Sequence, residues 1–252
     1  MNTWNTQWKN QWKKTLALGC AAFLLGGSAW GCAAPTVTAA SSAPHAANPQ
    51  DAPMPLPLTE EEVSAQQLAD AQYMALLWMR TSAEYRALCY QGYNAALMAI
   101  DRAKANPAAR SGKPLAIVLD CDETVTDNTR AMAEAAAAGN GRYDALWWRG
   151  TVHEARSEAM PGAVEFLSEV ARRGVAIFYV SNRWSEVNYE PTIENLKALG
   201  FPSVDAEHVL LMEDRKMSDK QPRFDQIAKN YDVVVYMGDN AGDLPLGTKG
   251  MN

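Results

Sequence analysis

Residues 114–124 read Pro-Leu-Ala-Ile-Val-Leu-Asp-Cys-Asp-Glu-Thr, an apolar run that empties into an acidic cluster. The run is too short for a helix, and its Ala-Ile-Val-Leu character is that of a strand buried on both faces. Asp120 and Asp122 then stand one residue apart, with Thr124 behind them. Unpaired carboxylates are costly to bury. A buried strand that ends in DxDxT therefore points to a cation and a reaction at its carboxyl end. The plainer reading is an acidic turn, since Asp and Thr are common turn residues.

The chain that follows repeats this design. Residues 129–151 read as a helix and loop, an insertion in which Trp147 and Trp148 stand beside Tyr143. A helix opens at Pro161 and closes at Gly174, with Val164, Leu167 and Val170 as its buried stripe. A strand over 175–180 empties into Ser181-Asn182-Arg183. A helix near 192–199 ends at Gly200, and a strand over 208–212 leads into a charged segment with Lys216 and Lys220. A helix near 222–229 precedes a last strand over 232–237, which empties into Gly238-Asp239-Asn240-Ala241-Gly242-Asp243. Strands alternating with helices predict an α/β fold: a Rossmann-like parallel sheet with helices on both faces and the active site at the strands' carboxyl ends. Three strand ends carry complementary groups: Asp120 with Asp122, Ser181, and Asp239 with Asp243. A lysine is available before the last strand, either Lys220 or the solvated Lys216.

Ahead of the core, Thr59 caps an acidic turn, Glu60-Glu61-Glu62. Leu68, Tyr73, Leu76, Leu77, Tyr85, Leu88, Tyr93, Leu97 and Ile100 recur at near-helical spacing to about Lys104. The pattern predicts two packed helices. Most of their aromatics read as core, with Trp78 and Tyr85 also candidates to line a pocket for a flat ligand. Cys121 should point away from its two aspartates by strand alternation and reads as a packed residue. Cys89 reads as a buried helix residue. A disulfide between the two is compatible with an oxidising compartment, but nothing in the sequence demands it.

The amino terminus reads as a targeting segment. Lys9, Lys13 and Lys14 precede an apolar, Gly-containing stretch over 15–30 that is too short for a confident membrane span. It ends at Ala29-Trp30-Gly31-Cys32, which resembles a bacterial lipoprotein signal apart from the bulky Trp30. Cys32 is the preferred lipidated residue, with simple cleavage near Ala33-Ala34 or Ala39-Ala40 as the alternative. Residues 32–58 are rich in Ala, Pro, Ser and Thr and read as a flexible tether. The expected organisation is a signal peptide at 1–31, the tether, and a soluble domain over 59–252. Its core starts at about 114, and a mainly helical cap is built from 59–113 and about 129–158. An exported envelope protein follows, an outer-membrane lipoprotein facing the periplasm or surface, touching the membrane through its lipid alone. The net charge of −6, with no basic block beyond residue 14, argues against a nucleic-acid polymer as partner. The three His and four Cys form no CxxC or HExxH, which argues against a common zinc site. No His sits in an Arg-His-Gly setting, so histidine-nucleophile phosphatase chemistry is unsupported.

The ordered set DCDET, the serine of VSNR, the lysine of DKQPR, and GDNAGD resembles the four motifs of the haloacid dehalogenase superfamily. LDCDETVTDN, PGAVEFL, FYVSNR, GDNAGDL, the stretch WMRTSAEYRALCYQGYNA and the lipoprotein-like start are similar to the class C acid phosphatases, the bacterial lipoprotein 5′-nucleotidase group. The resemblance covers about residues 65–245. It implies a metal-dependent phosphomonoesterase acting on nucleoside monophosphates and aryl phosphates through an aspartyl-phosphate. Asp120 would be the nucleophile and Asp122 the acid and base. Mg²⁺ would be held by Asp120, Asp239 and the backbone carbonyl of Asp122. Ser181, Lys220 and Thr124 would bind the phosphoryl group, Thr124 also positioning the Asp122 loop, and Asp243 would orient Lys220 or a metal-bound water. Lys220 is preferred over Lys216 because Arg223 follows it at the family spacing. Trp78, Tyr85, Tyr143, Trp147 and Trp148 would be candidates to stack on a base. The resemblance leaves room for a homodimer. The chain stops at Asn252, soon after the fourth motif, where family members usually continue through another strand, so a sheet edge and some support for the site are expected to be missing. Two rivals stand beside this expectation: another phosphotransferase or dehalogenase of the superfamily, and a non-enzymatic ligand-binding surface lipoprotein. A second aspartate at position 122 favours a phosphatase over a dehalogenase.

Overall fold

A computed structural model describes residues 63–245 of the chain. The predicted leader over 1–31, the tether over 32–58 with Cys32, and the Thr59 cap with its acidic turn lie outside these residues. In chain order the elements are α1 (Ala65–Thr81), α2 (Ala83–Ala105), β1 (Leu115–Leu119), β2 (Thr126–Asp127), α3 (Thr129–Ala137), α4 (Ala145–His153), β3 (Glu158–Ala159), α5 (Ala163–Arg172), β4 (Ala176–Trp184), α6 (Ser185–Ala198), β5 (Val209–Met212), α7 (Gln221–Ala228) and β6 (Asp232–Met237). No helix among them is long and apolar enough to cross a membrane.

The apolar run at 115–119 forms β1, and every residue of it is buried. Alternation then sends its side chains to two cores. Leu115, Ile117 and Leu119 join Tyr93 and Ile100 of α2, Phe166 and Leu167 of α5, and Ile193 and Leu196 of α6. Ala116 and Val118 join Phe178, Val180, and Phe224 and Ile227 of α7. The sheet is therefore covered on both faces, as its uninterrupted apolar strand requires. Its strands run in the order β5-β4-β1-β6 and all pairings are parallel. The chain steps from β1 through β4 to β5 and then crosses to β6 on the other side of β1. That reversal beside β1 is where a ligand crevice opens in such sheets.

Outside the sheet, α1 packs on α3 through Ala69, Leu76 and Ala136. A short antiparallel pair, β2 with β3, ties the chain after DxDxT to the approach to α5. The first described helix starts from a reciprocal cap. Ser64 Oγ accepts from the Gln67 amide at 3.2 Å, and Gln67 Oε1 accepts from the Ser64 amide at 2.9 Å.

Two boundaries differ from the sequence reading. The strand predicted over 175–180 continues as β4 to Trp184, because Trp184 rejoins the β5 ladder opposite Met212 after an irregularity beyond Val180. The helix predicted to open near residue 192 instead starts at Ser185 and runs through Pro191. Pro191 lies inside it, and packing of α6 on the sheet outweighs the one backbone donor the proline lacks. Cys89 and Cys121 are free thiols, so the open question of a disulfide between them is answered in the negative. Cys121 is fully buried among the core side chains.

Candidate active site

The acidic cluster is presented by a tight turn. Asp120 still donates its amide to Met237 O at 2.9 Å, so the β1–β6 ladder runs up to the first aspartate. Cys121 O then accepts from the amides of Thr124, Val125 and Thr126 at 3.3, 2.9 and 2.8 Å. Glu123 takes a positive φ of 51° to close the turn. Thr124 lies beneath it: its backbone carbonyl accepts from Tyr93 Oη at 2.6 Å.

Lys220, 3% exposed, reaches in from the start of α7. Its Nζ lies 2.6 Å from Asp120 Oδ1 and 2.6 Å from Asp243 Oδ1. Asp243 is fixed in turn, because its Oδ2 accepts from the Asn240 amide at 2.9 Å. Burial works against the Lys220 charge, but the two carboxylates outweigh it and hold the ammonium above its ordinary value. One carboxyl oxygen each from Asp120, Asp239 and Asp243 lie within 4.8 Å of one another. Burial first, then the neighbouring Asp122 and Asp243, push Asp120 up to about 7 despite Lys220. Asp239 is also raised, by burial and by Asp243. The cluster is all hard oxygen and short of positive charge, which is the donor set a divalent cation fits.

Asp122 has its own partner. Arg183 in β4, 3% exposed, donates from Nη2 to Asp122 Oδ1 at 2.6 Å and from Nε to Oδ2 at 3.0 Å and to Oδ1 at 3.2 Å. Asn128 Nδ2 donates to the same Oδ1 at 2.9 Å, and Ser157 Oγ donates to Asn128 Oδ1 at 2.6 Å. Burial opposes the Arg183 charge, and Asp122 more than compensates, leaving the guanidinium above its ordinary value. Sequence reasoning assigned no role to Arg183 or Asn128. Both were inside the motifs it quoted; a buried arginine needs a carboxylate, but its burial shows only once the chain is folded.

These groups line one cleft of about 590 Å³ at the carboxyl ends of β1, β4 and β6. Asp120, Asp122, Ser181, Lys220, Asp239 and Asp243 all face it. Lys216 is exposed and does not line it. Ser181 is buried, its Oγ accepting from the Arg183 amide at 3.2 Å. Its carbonyl is held by Arg223 Nη1 at 2.7 Å. Thr124 is not part of the lining and sits below the turn. The five aromatic candidates separate. Tyr143 and Trp148 border the cleft and also an adjoining cavity of about 260 Å³, which Trp147 lines as well. Trp78 and Tyr85 pack edge-on against each other, centroids 5.0 Å apart, and line neither space. Glu123 borders the adjoining cavity, its carboxyl pushed up to about 8 by burial and by Asp122.

Comparison with known proteins gives the same answer from another direction. The class C acid phosphatase from Bacillus anthracis is 38% identical, with a TM-score of 0.64, over 70% of this chain and 72% of that one. The same values hold for its structure with tungstate bound. Residues 39–250 match the family described as HAD superfamily, subfamily IIIB (Acid phosphatase). A buried Asp120 beside Lys220, on the carboxyl edge of a parallel sheet, is thus met in a chain that belongs to the subfamily IIIB acid phosphatases and is a phosphomonoesterase.

Proposed function

We propose that this acid phosphatase hydrolyses small phosphomonoesters, nucleoside monophosphates and aryl phosphates among them, through an aspartyl-phosphate on Asp120 with Mg²⁺ in the site. The observation that carries the reading is the convergence of Asp120, Asp122, Ser181, Lys220 and Asp239 on one cleft. A relative 38% identical is known with tungstate, a phosphate-shaped oxyanion, bound.

Lys220 occupies Asp120 Oδ1 and leaves Oδ2 for attack on phosphorus. As the new P–O bond forms, the ester P–O bond breaks, and the leaving oxygen takes a proton from Asp122. In the second step water attacks phosphorus, gives a proton to Asp122, and the P–O bond to Asp120 breaks. Ser181 Oγ and Lys220 Nζ face the charge that builds on the phosphoryl oxygens. The carboxylates of Asp120 and Asp239 and the backbone carbonyl of Asp122 would hold Mg²⁺. When bound, the ion supplies the positive charge that offsets repulsion between a carboxylate and a phosphate dianion. Asp243 holds Lys220 in place. The test is phosphate release from nucleoside monophosphates at pH 5–7. Activity should require a divalent ion and vanish in Asp120→Asn; activity that survives EDTA or the substitution excludes the mechanism.

Tyr143 and Trp148 are the aromatics placed to meet the leaving group, by stacking that tolerates different bases. Trp148→Ala should raise KM for a nucleotide far more than for a small alkyl phosphate, and equal effects would sink the assignment. We also propose that the protein is exported and anchored through Cys32, on the pattern of residues 1–32. Mass spectrometry of the mature amino terminus decides this: an acylated Cys32 supports it, a free terminus beyond Cys32 rejects the anchor and leaves export by simple cleavage, and an uncleaved leader rejects both.

A further inference from the structure

We propose that Arg183 is the positioning residue for proton transfer: its two-pronged grip on Asp122 turns one carboxyl oxygen away from the reaction and presents the other. Oδ1 of Asp122 takes the close Nη2 contact at 2.6 Å, a second from Nε at 3.2 Å, and the Asn128 amide at 2.9 Å. Oδ2 takes a single contact, at 3.0 Å. Oδ2 is therefore the oxygen that hands its proton to the leaving alkoxide and later receives one from water. The grip is itself fixed, because Arg183 Nη1 donates to Thr192 Oγ1 on α6 at 3.2 Å, and Thr192 is fully buried. A planar fork sets the plane of a carboxylate in a way an ammonium cannot. The inference rests on the proposed role of Asp122 and adds to it the element that aims it.

The leaving group separates this role from general support of the fold. An alkyl ester needs a proton as its P–O bond breaks; a nitrophenyl ester does not. kcat/KM reports the first chemical step, before the phospho-enzyme is hydrolysed. In Arg183→Lys, which keeps the charge and loses the fork, kcat/KM for an alkyl phosphate should fall about 100-fold or more. For nitrophenyl phosphate it should fall only a few-fold. Equal losses on both esters would overturn the proposal, and so would an alkyl activity that the lysine sustains, since charge alone would then suffice. Circular dichroism checks folding. If Arg183→Lys does not fold, Thr192→Val removes the anchor of the fork and should give the same split in milder form; no split there overturns the proposal equally. Asp122→Asn is run alongside. A split in that variant without one at Arg183 rejects the inference alone, whereas no split in either rejects the role of Asp122 beneath it.

Discussion

Lys220 holds two carboxylates at once, and both lie where water is largely excluded. Replacing it with Met leaves Asp120 and Asp243 facing each other without a counter-charge. Breaking a buried pair by removing one partner costs about 3–5 kcal/mol, most of it from the charge left behind. Lys220→Met should therefore lower the unfolding midpoint in urea. It should also reduce kcat by roughly 10²–10³-fold, the loss typical of removing one transition-state donor. If Asp120 simply takes up a proton in the variant, stability will fall less at pH 5 than at pH 8. Identical stability to wild type at both values would show that the pair contributes nothing. Asp120, Ser181 and Asp239 could be named from sequence because they stand at strand ends, whereas Lys220 was separated from Lys216 only by the family resemblance, in which Arg223 follows it. Arg183 was harder. Its partner lies 61 positions away, and nothing in a local pattern says which of the site's acids a distant arginine will meet.

At the scale of elements, the strands of the parallel sheet left a trace in the sequence, and the short pair β2 and β3 did not. The length and apolar content of β1 follow from burial on both faces, which leaves a plain compositional trace. The end of β4 left no such trace, because Ser181, Asn182 and Arg183 look like loop residues and are kept in the strand by a ladder to β5. The turn after β6 shows how tightly these ends are built. A Cβ added to Gly238 would sit 2.1 Å from Asp243 Cβ and 2.2 Å from its Oδ2, so the two cannot coexist without movement. Gly238→Ala should push Asp243 off Lys220 and away from the Asn240 amide. The expected cost is about 1–3 kcal/mol, as for other overpacked sites, together with at least a tenfold loss of kcat. Unchanged kcat in a folded Gly238→Ala protein would mean that Asp243 does not have to hold Lys220 for turnover.

For the whole molecule, the layered architecture was the part best written in the sequence, since alternating strands and helices admit few topologies. What the sequence could not show is how far the site opposes the fold that carries it. Asp120, Glu123 and Asp239 all have carboxyls held above the ordinary range, at about 7 for Asp120 and about 8 for Glu123, with burial the leading cause in each. Such a group binds more protons folded than unfolded between its ordinary value and its raised one. The native state is therefore favoured at the acid end of that window and loses stability as pH rises through it. Glu169 and Asp205 are shifted the other way, by Arg172 and His208 respectively. They are ionised in both states above about pH 5 and add no slope there. In EDTA, the melting temperature should accordingly fall as pH is raised from 5 to 8. A divalent cation that neutralises the cluster should remove the part of that fall that comes from Asp120 and Asp239. Its stabilising effect should be small at pH 5, where protons compete for the same oxygens, and largest near pH 8. A melting temperature in EDTA that is flat or rises over this range would show that the buried carboxylates are compensated without a metal. A cation effect equal at both ends would place its binding on groups other than Asp120 and Asp239.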